Sequence, residues 1–286
     1  MRWKGGRQSE HFEDRRGMSP GGRLALGGVG GVIVLILGLL LGGDPQQLLQ
    51  QMQTVAPEQT DGPVEISPEE AELTEFMRVV LASTEDVWAS IYREAGLDFR
   101  PATLVLYRDG VQTDGCGLGA SAYGPFYCPA DEKVYIDLSF NEELRNRFGA
   151  TGEFAMAYVL AHEVGHHIQK LSGAMDRLHA ARQRLSERDY NKMQVMLELQ
   201  ADFYAGVWAH HANRKSEVYL AYEDIRHGME AAAAVGDDRI QLQTQGHVTP
   251  EAFTHGTSEQ RAYWFKKGYD TGDIRQGDTF NDPSLQ

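Results

Sequence analysis

Two histidines one helical turn apart, in His162-Glu163-Val164-Gly165-His166, constrain this chain more than any other feature. At i and i+4 both rings leave the same face of an α-helix, so a helix here carries both to one point. A later stretch of helical pattern, Glu198-Leu199-Gln200-Ala201-Asp202, carries two carboxylates at the same spacing. Two imidazoles and one carboxylate are the donor set of a catalytic zinc with an open fourth position. His162, His166 and Glu198 are therefore the expected ligands, and Zn2+ the expected cofactor. Glu163 points to the neighbouring side of that face, where it can act as general base on a polarised water. Asp202 is suited to accept a hydrogen bond from one ligand imidazole and fix its tautomer; the plainer reading is an exposed helix-surface aspartate. Gly165 costs about 1 kcal/mol in helix propensity and lets another segment come close to the ligand face. His167 points off that face and reads as structural. His210-His211 closes a helix, where partial positive charge suits the dipole, so no second metal site is needed to account for it.

A second constraint is the uncharged run Leu24 to Leu41, 18 residues long and just sufficient to span a bilayer. It is long for a cleaved signal's apolar core, and Gly42-Gly43-Asp44-Pro45 is a poor cleavage site. Ahead of it stand Arg2, Lys4, Arg7, Arg15, Arg16 and Arg23 against Glu10, Glu13 and Asp14. Positive charge before a span predicts a cytoplasmic N-terminus and an exported remainder, in the inner membrane of the cell. Gly27 and Gly31 have a helix-pairing spacing, although glycine is common in membrane helices anyway. The chain carries a formal net charge of −14, and the part beyond the run, with 21 basic and 38 acidic side chains, carries −17, which argues against nucleic acid and anionic lipid surfaces as natural partners. Cys116 and Cys128 are the only cysteines. In an oxidising compartment they are expected to form a disulfide; metal ligation is the weaker alternative, because the histidine–carboxylate set is already sufficient.

The organisation predicted is a cytoplasmic segment over 1–23, a transmembrane helix over 24–41, a flexible tether over 42–66 rich in Gln, Pro and Glu, and one domain over 67–286. Ser67-Pro68-Glu69-Glu70 opens a helix that stops near Gly96. Thr103 to Tyr107 and Val134 to Leu138 read as strands. Phe154 to Leu171 is the histidine-bearing helix, Met175 to Leu185 another, and Lys192 to Ala212 the helix of Glu198. Tyr219 to Val235 follows, and Thr249 and Ser258 mark two further helix starts, the latter helix stopping at Gly268. Helices outnumber strands, and the strands precede the ligand helix. The class predicted is α+β, mainly helical, with a small antiparallel sheet.

These motifs resemble the bacterial "putative neutral zinc metallopeptidase" family. The matching stretches are Met1-Arg2-Trp3, Glu13-Asp14-Arg15-Arg16-Gly17, Phe126-Tyr127-Cys128-Pro129, His162 to Gln169, Glu198 to His211 and Ser258-Glu259-Gln260-Arg261. More distantly, HExxH with a downstream ExxxD is similar to the gluzincin metallopeptidases. The resemblance implies a zincin-like, membrane-anchored domain with the roles given above for His162, Glu163, His166, Glu198 and Asp202. Peptide hydrolysis also needs a donor to the developing oxyanion. His255, before a helix start in a matching segment, is the candidate, with His247 and Tyr263 behind it; a capping or surface histidine is the other reading. Gly117 to Tyr123 is either an exposed edge for an extended peptide or a glycine-rich loop. The function expected is a zinc endopeptidase acting on extracytoplasmic proteins or peptides. Its alternatives are a zinc-stabilised scaffold or chaperone-like module, and hydrolysis of a non-peptide amide.

Overall fold

A computed structural model describes residues 1–18, 65–121, 124–146, 149 and 153–286. The expected transmembrane helix and all of the tether but its last residues lie outside these. Among the described residues no helix is long and apolar enough to cross a membrane.

The chain opens with β1 (Phe12–Asp14), then α1 (Pro68–Glu94), β2 (Thr103–Tyr107), β3 (Gly110–Gln112), β4 (Leu118–Ala120), β5 (Phe126–Cys128) and β6 (Lys133–Asp137). Helices follow: α2 (Phe140–Asn146), α3 (Glu153–Leu171), α4 (Ala174–Ala181), α5 (Glu187–Lys215), α6 (Tyr222–Ala234), α7 (Asp237–Gln245) and α8 (Ser258–Thr271), then short 3₁₀ turns. The fold is mainly helical α+β. Ser67 caps α1 by accepting from the Glu70 amide while Glu70 reaches back to the Ser67 amide, satisfying two otherwise orphaned donors.

The sheet corrects one expectation. Its order is β1-β2-β6-β5, and only the β5–β6 pair is antiparallel; β1–β2 and β2–β6 are parallel. The antiparallel hairpin β3–β4 forms a separate two-stranded sheet. The continuous apolar stretch Leu104-Val105-Leu106 of β2 is buried on both faces, as a central parallel strand requires. Leu104 and Leu106 face the main core beside Val134 and Ile136, while Val105 packs in a smaller cluster with Tyr107, Val111 and Tyr135. Cys116 and Cys128 are disulfide-bonded, tying β5 to the loop that precedes β4.

Residues 1–18 do not stand apart as a separate segment. Trp3 is buried against Phe76 of α1, their ring centroids 5.2 Å apart, and Phe12 to Asp14 supply the sheet's outer strand. Sequence reasoning separated them because the apolar run intervenes, and a strand of three residues has no periodicity to read.

Helix boundaries differ informatively at three places. The polar stretch after Leu185 is the start of α5, with Ser186 accepting from the Asp189 amide as its cap. A separate helix, α7, follows α6. The last helix runs through Gly268 to a left-handed Gly272. Gly268 is an interhelical contact rather than a stop: a Cβ there would lie 2.0 Å from the Phe203 carbonyl oxygen of α5.

Candidate metal centre

The site is built where α3 crosses α5. A Cβ on Gly165 would lie 2.9 Å from the Ala201 carbonyl oxygen and 3.1 Å from its Cα, so the backbones touch at Gly165 and Ala201. That contact sets His162 and His166, flanking Gly165, against Glu198 and Asp202, flanking Ala201. Leu160, Val164 and Leu199, on the same stretches of α3 and α5, are buried.

One donor atom from each of His162, His166 and Glu198 lies within 4.8 Å of the other two. The Glu198 Oε2 atom is 3.2 Å from His162 Nε2 and 3.5 Å from His166 Nε2. Ligands about 2.1 Å from a tetrahedral zinc lie roughly 3.4 Å from each other, so the spacing fits that ion. The imidazole rings stand at 88° with centroids 4.8 Å apart, presenting different edges to the common point. Glu163 is buried beside them, and burial raises its carboxyl pKa against the pull of the two imidazoles.

Each histidine is oriented through its other nitrogen. His162 Nδ1 donates to Asp202 Oδ1 at 2.8 Å, leaving Nε2 to face the cluster. Asp202 is itself clamped: Arg261 Nε donates to its Oδ2 at 2.8 Å and Nη2 to its Oδ1 at 3.1 Å, and the Tyr158 hydroxyl donates to Oδ1. The same guanidinium donates to the Val235 carbonyl, tying α8 to the end of α6. His166 Nδ1 donates to Gln169 Oε1 at 2.9 Å. Gln169 Nε2 donates to the Leu197 carbonyl and to Gln200 Oε1, which fixes the amide's orientation. One ligand thus leans on an anion and the other on a neutral amide.

Electrostatics follow from this burial. Burial opposes charge on His162, but Asp202 and Glu198 overcome it and lift the imidazole to about 10. His166 is raised likewise by Glu198, and Glu198 is held well below the usual carboxylate range by the two imidazoles despite burial.

His255 sits in the turn before α8. Asp237 Oδ2 accepts from the backbone amides of Thr254, His255 and Gly256, and Oδ1 lies 3.1 Å from His255 Nδ1. The adjacent Gly256 packs on Val195 and Leu199 of α5, on the turn that carries Glu198. The ring is half exposed. Burial lowers its pKa, and the Asp237 hydrogen bond with the charge of Glu198 more than reverses that. The two residues ranked behind it are elsewhere engaged: His247 meets the Gln245 carbonyl, and Tyr263 lies exposed against Trp264. His167 donates from Nε2 to the Arg100 carbonyl and accepts at Nδ1 from Tyr127, joining α3 to the sheet and the loop before it. Of Gly117 to Tyr123, residues 118–120 form β4 and 122–123 lie outside the described residues. Arg261, Tyr158, Gln169 and Asp237 were not singled out from sequence. Gln169 and Arg261 each close one of the stretches that carry the resemblance, and Gln169 also lies one turn beyond His166.

Residues 1–280 match the family described as "putative neutral zinc metallopeptidase", and the chain belongs to that family. It is 45% identical over 287 residues to Uncharacterized protein YpfJ of Escherichia coli strain K12, covering 98% of this chain and 99% of the relative. It is 37% identical over 258 residues to Uncharacterized protein Rv2575 of Mycobacterium tuberculosis strain H37Rv, covering 86% of each. No solved structure matches it.

Proposed function

We propose that the protein is a zinc-dependent endopeptidase in which His162, His166 and Glu198 hold the ion and Glu163 is the general base. The observation that carries this reading is the convergence of three donor atoms at zinc-like spacing, with a buried carboxyl group between the two histidines. When bound, zinc supplies a Lewis acid for the scissile carbonyl and lowers the pKa of an attacking water to about 7. Glu163 accepts that water's proton and delivers it to the leaving amine. Its raised pKa places it nearer the working pH than an ordinary carboxylate. His255, held by Asp237, donates to the oxygen on which negative charge develops. The half-exposed ring is open to a substrate carbonyl, as such a donor requires.

The family assignment and the peptidase-type donor set support protein or peptide substrates, and the Cys116–Cys128 bond supports an oxidising compartment outside the cytoplasm. Attachment to the membrane through Leu24 to Leu41 is part of this proposal.

Glu163→Gln is the decisive variant. Hydrolysis of a general protein substrate should fall below detection while the purified protein keeps its zinc. Wild-type turnover by that variant would sink the mechanism; metal-loaded wild-type protein without chelator-sensitive hydrolysis would favour a zinc-stabilised scaffold.

A further inference from the structure

We infer that residues 1–18 and the metal-bearing domain lie on one face of the membrane, so that the apolar run between them does not carry the chain across. The basis is the sheet, not the run. β1 pairs with β2 in the register Phe12↔Leu104, Glu13↔Val105, Asp14↔Leu106, and Leu104 N donates to the His11 carbonyl while Arg15 N donates to that of Leu106. Arg2 and Tyr219 exchange both backbone hydrogen bonds at 2.9 Å, and Ser9 N donates to the Arg78 carbonyl. Trp3 and Ser9 are buried, and the Trp3 indole donates to Glu153 of α3, the helix of the ligand histidines. Without β1, the apolar strand β2 would present an unpaired edge, a form that stable proteins avoid.

The two ends of the intervening stretch are also close in space. Arg16 Nη1 lies 4.0 Å from Glu70 Oε1, so the chain leaves and re-enters the domain at neighbouring points. A single crossing would instead hold those points about 30 Å apart, on opposite sides of the hydrocarbon. A second crossing has no segment to make it: residues 42–64 contain Asp44, Glu58, Asp61 and six glutamines. Exchange of the N-terminal segment between copies inserted in the same orientation leaves segment and domain on opposite faces, so it does not restore the single crossing.

The basic residues that read as a cytoplasmic signal have another use here. Lys4 pairs with Glu72 and Arg7 with Glu85 and Asp86, while Arg16, paired with Asp14 of its own segment, also faces Glu70. Arg15, paired with Glu13 within the segment, donates to the Gln112 carbonyl of the domain, and the Arg2 guanidinium lies 4.3 Å from the centroid of the Tyr219 ring. They fasten the segment to the domain, and their sign follows from that domain's acidity.

The test needs no peptidase activity, so its outcome is separate from that of the proposed function. Glu10→Cys in the N-terminal segment and Tyr222→Cys on α6 replace exposed side chains, and the native cysteines are paired. Each full-length variant is treated with a membrane-impermeant maleimide in intact spheroplasts and again after lysis. The two positions should respond alike, both labelled before lysis or both only after it. Labelling of one before lysis and the other only after it would overturn the inference. If either variant fails to accumulate with its zinc, Met18→Cys and Leu242→Cys, also at exposed positions, replace the pair.

Discussion

At the scale of single residues, the arrangement around His162 shows which force prevails. A buried aspartate is costly unless it is paired, and Asp202 is fully buried. Burial pushes its carboxyl pKa up, yet Arg261 and His162 hold it down at about 2. The unfolded value is about 3.9, so the stabilisation is fully present above roughly pH 4 and is lost as pH falls through 2. Arg261→Met leaves that carboxylate with one charged partner fewer. It should cost about 3–5 kcal/mol in chemical denaturation at neutral pH and lower zinc affinity by about 10–100-fold in a chelator competition. Arg261→Lys keeps the charge but cannot make the two-point contact, and should fall between the two. The raised pKa values of His162 and His166 make a further claim about zinc loading. The His162 ring, lifted to about 10, is protonated at neutral pH without metal, so binding should release at least one proton, a count that titration calorimetry in buffers of different ionisation enthalpy reads directly. Release of none would mean that the ring is already neutral.

At the scale of elements, the ligand geometry depends on how closely two helices approach. Ala has the better helix propensity by about 1 kcal/mol, so in an isolated α3 a Gly165→Ala change would stabilise. Here the added methyl meets Ala201 backbone atoms at 2.9 and 3.1 Å, and backbone cannot rotate away. Overpacking of this kind costs about 1–3 kcal/mol and outweighs propensity. Gly165→Ala should therefore lower the melting temperature and weaken zinc binding together, while a more stable variant would mean that the helices separate without strain. This contact was legible in the sequence in part: a glycine between two ligand histidines signalled a close neighbour, though not which one. The ligand set itself was readable because helical spacing converts directly into a shared face. Arg261 was not, because it reaches Asp202 from α8 only through a second crossing, where Gly206 and Gly268 bring α8 against α5. No local pattern encodes a contact between residues 59 positions apart.

At the scale of the whole molecule, the sheet was the least legible part. Thr103 to Tyr107 reads as a strand by composition, but its direction relative to its neighbours depends on connections that periodicity cannot report. The pairing of β1 with β2 was hidden for the same reason: it is non-local, and the apolar run suggested a boundary between them. If residues 1–18 are integral, they must share the cooperativity of the domain. Trp3 supplies the check, since its ring is buried against Phe76 of α1 and its indole donates to Glu153 of α3. Truncating a buried tryptophan costs about 3–5 kcal/mol. Trp3→Ala should therefore shift the entire denaturation curve by that amount, followed both by helical circular dichroism and by retention of zinc, with the two midpoints moving together. An N-terminal segment lying loosely on the surface would leave both midpoints where they were. A segment that folds as a separate unit would split the curve, with zinc retention unchanged until the second step.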